Sequence, residues 1–274
     1  VNGVSRRALP GFGLGLGYTV FYLSAIVLIP LAACAWKAAS LSPAEFVAAA
    51  WSDRARAAYA LSLWTAAAAA AINVALGLVV AWTLVRYPFP LKRLVDALVD
   101  VPLALPTAVA GLVYASLYAP NGWVGQYLDP LGVRIAYTEY GIVLVLVFTG
   151  FPFVVRTVQP VLADLDAEVE EAAAVLGADR WQTFRRVLLP TLIPPALTGF
   201  ALAFARGLGE YGSVIFISSN MPYRTEIAAV LIVSRLEEYA YAEAAAIACV
   251  LLAVSFALLA VINLLERWTQ RHAG

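Results

Sequence analysis

Charged side chains, histidine and cysteine are all scarce in this sequence, and each shortage removes a class of function. Asp, Glu, Lys and Arg make up 13% of the 274 residues, and the 18 acidic and 18 basic groups cancel. No net positive field is available to attract nucleic acid. So little charge beside 62% hydrophobic residues also excludes an ordinary soluble domain. The single histidine, His272, lies in the C-terminal tail, and no HExxH, Walker A lysine or GxSxG pattern occurs. Glu170 beside Glu171 reads as a solvated acidic helix start, because nothing adjacent builds a pocket for a catalytic dyad. Cys34 and Cys249, the only thiols, each lie inside a long apolar run, which excludes a disulfide framework and a cysteine metal site. They read as small apolar side chains. No catalytic group, metal or bound cofactor is expected.

What the chain has in abundance is apolar length, with a mean hydropathy of +0.82. A charge at the bilayer centre costs ~2.5–3.5 kcal/mol even on the lower insertion scales, so charge-free stretches mark spans. Residues 8–36, 57–85, 101–128, 140–155, 187–205 and 244–265 are such stretches, and they predict six helices. Continuous apolar runs exclude the alternating pattern of a membrane barrel. The fold class is therefore all-α and polytopic. Arg6 and Arg7 precede the first run as a signal peptide's basic residues would, but Trp36 and Lys37 at its end offer no cleavage site. It reads as a retained helix. Gly11, Gly13, Gly15 and Gly17 have no preceding strand and make no nucleotide fingerprint. Ala66–Ala71 and Gly77 predict close helix packing, with Asn73 in a packing hydrogen bond rather than on a substrate.

With the N-terminus inside, Arg6, Arg7, Arg86, Lys92, Arg93, Arg156, Arg180, Arg185, Arg186, Arg267 and Arg271 are cytoplasmic, 11 of the 18 basic residues. The positive-inside rule then places both termini in the cytoplasm. Pro102 and Pro106 predict a break or bend at the start of the third span.

Two connections stand out. Between Arg156 and Pro190, Asp164, Asp166, Glu168, Glu170 and Glu171 precede a run of helix formers. Gly177 interrupts that run, and Asp179 with Gln182 resembles a capping box for a second short helix. Trp181, Phe184 and Leu188 form one apolar face. That face can lie on the chain's own bundle, in the lipid interface beside Arg180, Arg185 and Arg186, or on a soluble partner. In the second connection, 206–243, Arg206 and Glu210 interrupt an apolar run at i and i+4 spacing. They are expected either to satisfy each other structurally or to stand on a translocation path or its gate. Gly207, Gly209 and Gly212 allow a bend. Met221–Pro222 reads as a turn, and 224–239 as a re-entrant or interfacial helix.

The residues Glu171-Ala172-Ala173, Gly177 four positions on, and Val187-Leu188-Leu189-Pro190 resemble the cytoplasmic motif of ABC-importer permeases. The segments 96–112 and 206–248 are similar to the T-type permeases of sulfate/thiosulfate importers, and the likeness runs from about residue 14 to residue 268. Molybdate and tungstate permeases share the motif and the proline-rich third span. The resemblance implies a type I importer permease fold, with a cytoplasmic segment 1–13, a membrane domain 14–268 containing a coupling region 164–190, and a cytoplasmic tail 269–274. In that family the motif forms a coupling helix that docks in a cleft of the ATPase. By resemblance the coupling residues are Glu171, Ala172, Ala173, Gly177, Ala178, Leu189 and Pro190, anchored by Trp181, Phe184 and Leu188.

The implied assembly contains two ABC ATPase subunits, which bind ATP and Mg. It also contains a homologous W-type permease or a second copy of this chain, and an extracytoplasmic sulfate-binding protein. The implied location is the bacterial inner membrane. Arg206, Glu210, Ser213, Ser218, Ser219, Asn220 and Arg224 are the candidates for the anion path or its gate. Outside this class, a proton-coupled secondary oxyanion transporter would normally show internal repeats, and none is evident between the halves. A noncatalytic membrane scaffold would use the same helix pair without stimulating ATP hydrolysis.

Overall fold

The structure, a computed structural model, describes residues 12–165 and 167–272. Arg6, Arg7, Gly11, Asp166 and the last two tail residues lie outside the described residues, as do the side chains of Arg267, Arg271 and His272.

Among the described residues five helices are long and apolar enough to cross a membrane. These are α1 (Phe12–Ala38), α3 (Asp53–Arg86), α7 (Glu139–Asp164), α9 (Arg180–Leu208) and α12 (Tyr241–His272). Shorter helices fill the connections: α2 (Pro43–Ala50), α4 (Lys92–Val99), α5 (Val101–Ala104), α6 (Thr107–Tyr118), α8 (Ala167–Val175), α10 (Val214–Ile217) and α11 (Ala228–Glu237). The third apolar stretch is the one that does not form a continuous helix. Leu105 is extended at ψ 135°, as a residue before proline tends to be, and Pro106 opens α6. At 12 residues, α6 is about 18 Å long, short of the ~30 Å hydrocarbon core.

Proline also shapes two of the long helices. The turns at Ser24–Leu28 and Phe184–Leu188 are widened to i→i+5 bonding, with Ile29 N–H reaching Ser24 O and Leu189 N–H reaching Phe184 O. Each wide turn stands just before a proline, Pro30 or Pro190. The ring clashes with the carbonyl four residues back and supplies no N–H, so the preceding turn opens.

The core is the mutual packing of α3, α7 and α9, with α12 against α9, α11 and α1. Since lipid is as apolar as leucine, close packing rather than water exclusion holds such helices together. Accordingly α3 buries Ala66, Ala69, Ala70 and Gly77, while α7 buries Val154, Val155 and Val158 and α9 buries Gly199, Ala203 and Gly207. Asn73 corrects its expectation: it is fully buried, yet neither its Nδ2 nor its Oδ1 has a hydrogen-bond partner. It faces Gly150 of α7 near Ala203 of α9, residues with no polar side chain to offer, and helix backbone groups there are already paired.

Candidate functional site

The 164–190 connection folds as two helices around a tight turn. Glu168 and Glu170 occupy the first turn of α8, where carboxylates meet the positive end of the helix dipole. The helix ends in a Schellman arrangement: Ala178 N–H donates to Ala173 O and Gly177 N–H to Ala174 O, both at 3.0 Å. Gly177 takes φ +83°, the left-handed conformation that favours glycine. Asp179 then caps α9 reciprocally with Gln182, at 2.8 and 3.1 Å.

Contacts to the bundle come from two sides. Arg86, at the end of α3, approaches Glu170 at 2.5 Å and lies over the Trp82 ring at 5.6 Å. The Arg86–Glu170 contact is ionic, off hydrogen-bond alignment. Phe184 packs edge-on against Trp82, with centroids 5.8 Å apart, and Leu188 is buried. Trp181 stacks on Phe184 but keeps 65% of its surface, so it covers the anchor rather than entering the core. Ala173 is buried, Leu189 half-buried, and Glu171, Ala172 and Pro190 exposed. Val175 and Leu176, which lie between the motif residues, are 88% and 87% exposed at the end of α8. Two apolar residues beside a glycine turn are their signal in the sequence.

In the second connection α9 ends at Leu208, yet Arg206 and Glu210 still pair, at 2.5 Å. Glu210 is 1% exposed, and its other oxygen accepts from Ser213 N–H at 2.8 Å and Ser213 Oγ at 2.9 Å. Both carboxylate oxygens are therefore engaged, which a buried charge requires. The loop is held against the broken third span: a Cβ on Gly111 of α6 would lie 2.3 Å from Ser213 O, so only glycine permits the approach. Ser218, Ser219 and Asn220 gather in a separate knot around Thr225. Ser218 Oγ donates to Thr225 O, Ser219 Oγ meets Thr225 Oγ1, both at 2.7 Å, and Asn220 Nδ2 donates to Ile215 O at 2.8 Å. The structure thus brings Arg206, Glu210 and Ser213 together and keeps the Ser218–Asn220 turn apart from them. Arg224 is exposed at the tip.

Two further charge clusters join residues far apart in the sequence. Glu226, 3% exposed, receives a bidentate pair from Arg54 at 2.8 and 2.7 Å across 172 positions. On the opposite side of the bundle Arg156 holds Asp100 through two bonds of 2.9 and 2.6 Å. The same guanidinium reaches Asp96 and Gln159, each at 2.6 Å. Asp96 belongs to α4, outside the membrane-spanning segments, and the Arg156 hydrogen bond, with a smaller one from Gln159, holds its carboxyl below the usual range. A lowered native value means this stabilisation is complete above the ordinary carboxylate range and is lost as pH falls through the native value. Asp96→Asn is therefore expected to lower the thermal midpoint at neutral pH, with the difference from wild type shrinking below about pH 4. Melting curves across an acid titration check this.

Comparison with known proteins places the chain among transport components. Residues 73–272 match the family described as "Binding-protein-dependent transport system inner membrane component". The chain is 51% identical over 256 residues to the sulfate transport system permease protein CysT of Synechocystis sp., covering 93% of this chain and 90% of that protein. It is 47% identical over 271 residues to CysT of Escherichia coli strain K12, covering 98% of each. Among solved structures, a bacterial ABC transporter involved in import of the acidic polysaccharide alginate aligns with a TM-score of 0.74 at 17% identity, covering 93% of this chain and 94% of that one. That likeness speaks for the fold.

Proposed function

The chain belongs to the family of binding-protein-dependent transport system inner membrane components, and from that membership we propose that it is the permease subunit of an ATP-driven sulfate importer. The observation that carries this reading is its near-full-length identity to proteins named as sulfate transport permeases. The chain itself is not catalytic. ATP and Mg are held by two partner ATPases, and the anion is delivered outside by a binding protein. A homologous second permease, or a second copy of this chain, completes the channel.

In this reading the membrane domain runs from 14 to 268, with 1–13 and 269–274 in the cytoplasm. The broken α5–α6 stretch counts as the sixth span, and both termini face inward. The coupling element is α8 with the start of α9. Glu171 and Ala172, with Val175 and Leu176, present an exposed surface to the ATPase cleft, and Ala178, Leu189 and Pro190 continue the motif toward the membrane. Movement of α8 passes to α3 through Arg86 and Glu170, and to the bundle through Phe184 and Leu188. Ser213, Ser218, Ser219, Asn220 and Arg224, with Arg206 and Glu210, line or gate the anion path.

Reconstitution with the cognate ATPase, second permease and binding protein tests this. ATP-dependent, binding-protein-dependent uptake of labelled sulfate is expected, with thiosulfate as a competitor. Uptake of molybdate without sulfate would replace the substrate. Uptake driven by a proton gradient without the ATPase would overturn the whole reading.

A further inference from the structure

The two thiols that the sequence separates by 215 positions lie side by side in the fold. Cys34 sits near the end of α1 and Cys249 near the start of α12, with Sγ atoms 3.9 Å apart, and Cys34 Sγ is 3.8 Å from Ala245 O. Ala38, Ala50, Ala245 and Ala246 are buried around them, and these small side chains let the two helices approach closely. Both cysteines are free and only partly buried by the rest of the chain. They are also each other's sole thiol neighbour in the chain.

We propose that Cys34 and Cys249 form a redox-modifiable pair that closes into an intramolecular disulfide and staples the first span to the last. A disulfide bond is about 2.05 Å long, so side-chain rotation must draw the sulfurs about 1.9 Å closer than their present 3.9 Å contact. The oxidant is a small-molecule or protein disulfide. One cysteine thiolate attacks it, forming a mixed disulfide and releasing a thiolate. The second cysteine thiolate then displaces the other half. Two S–H bonds are lost and one S–S bond forms, while the oxidant's S–S bond becomes two thiols that carry the two protons and two electrons. The principal packing neighbour of the Ile29–Ala38 part of α1 is α12, so the bond would fasten a helix that otherwise buries little of itself. One supporting point rests on the orientation proposed above: it places both cysteines toward the extracytoplasmic side, where disulfides persist.

Oxidised glutathione added to the purified complex in mild detergent tests the pair. Digestion without reductant should yield one peptide pair joined through Cys34 and Cys249. Both thiols should be lost to maleimide labelling, and dithiothreitol should restore them. Cys249→Ser should abolish the link and leave Cys34 free or glutathionylated. Separate glutathione adducts in the wild type, persistent labelling of both thiols, or links only between chains would overturn the proposal. Since the chemistry is read in detergent, its failure counts against the pair alone, whereas the transport reading stands or falls on the uptake assay.

Discussion

Gly177→Val is expected to cut ATP-coupled transport by about 5–30-fold while leaving the chain inserted and its bundle folded. Nothing lies within 4 Å of a Cβ built at this position, so the effect does not come from a clash. It comes from the backbone: φ is +83°, and a β-branched residue in the left-handed region is a genuine outlier, costing ~1–2 kcal/mol or more. Relieving that strain means abandoning the bonds from Gly177 N–H and Ala178 N–H that close α8. The exposed Val175 and Leu176 would then turn away from the geometry set by Arg86–Glu170 and Phe184. A shift of ~1–2 kcal/mol is a factor of about 5–30 in the population of the docking geometry, and in ATPase affinity by the same factor. Gly177→Asn is the control, because asparagine visits the left-handed region readily and should retain most activity. ATPase co-purification and sulfate uptake, measured on both variants, check the pair of outcomes. Equal loss in both would mean that the turn needs glycine for its lack of a side chain rather than for its φ. Glu171→Arg, with no backbone effect, is expected to lose coupling through the surface itself.

The contrast between these positions explains what the sequence made legible. Features set by near neighbours could be read directly. The capping box of Asp179 and Gln182, the glycine turn, the break before Pro106 and the i, i+4 pairing of Arg206 with Glu210 all depend on residues within one or two turns. Features set by tertiary packing could not be read. Nothing near Arg54 in the sequence announces Glu226, 172 positions away, and Arg156 counts there only toward orientation although it binds Asp96 and Asp100. Cys34 and Cys249 read as apolar filler for the same reason. Asn73 failed in the other direction: a polar residue in a small-residue stripe suggests a partner, and Gly150 and Ala203, which it faces, carry no polar side chain.

Arg206→Ala carries the largest expected loss, and its structural and transport roles can be separated. Glu210 is 1% exposed, and Arg206 is the only cation paired with it among the described residues. Removing the guanidinium strands a buried carboxylate, which typically costs ~3–5 kcal/mol, a large share of a ~5–15 kcal/mol stability. The single variant is therefore expected to lose assembled complex, seen as reduced monodisperse yield and a lowered thermal midpoint. The double variant Arg206→Met with Glu210→Gln removes both charges and keeps an amide oxygen to accept from Ser213 N–H and Oγ. Replacing a buried pair by neutral groups of similar volume is often neutral or stabilising, so assembly should recover. If Arg206 stands on the proposed anion path, sulfate uptake per assembled complex should nevertheless stay down by about tenfold or more, equivalent to ~1.4 kcal/mol of barrier, because its half-exposed cation is gone. Uptake that recovers along with assembly would assign the Arg206–Glu210 pair to holding the loop against α6 and would remove Arg206 from the path.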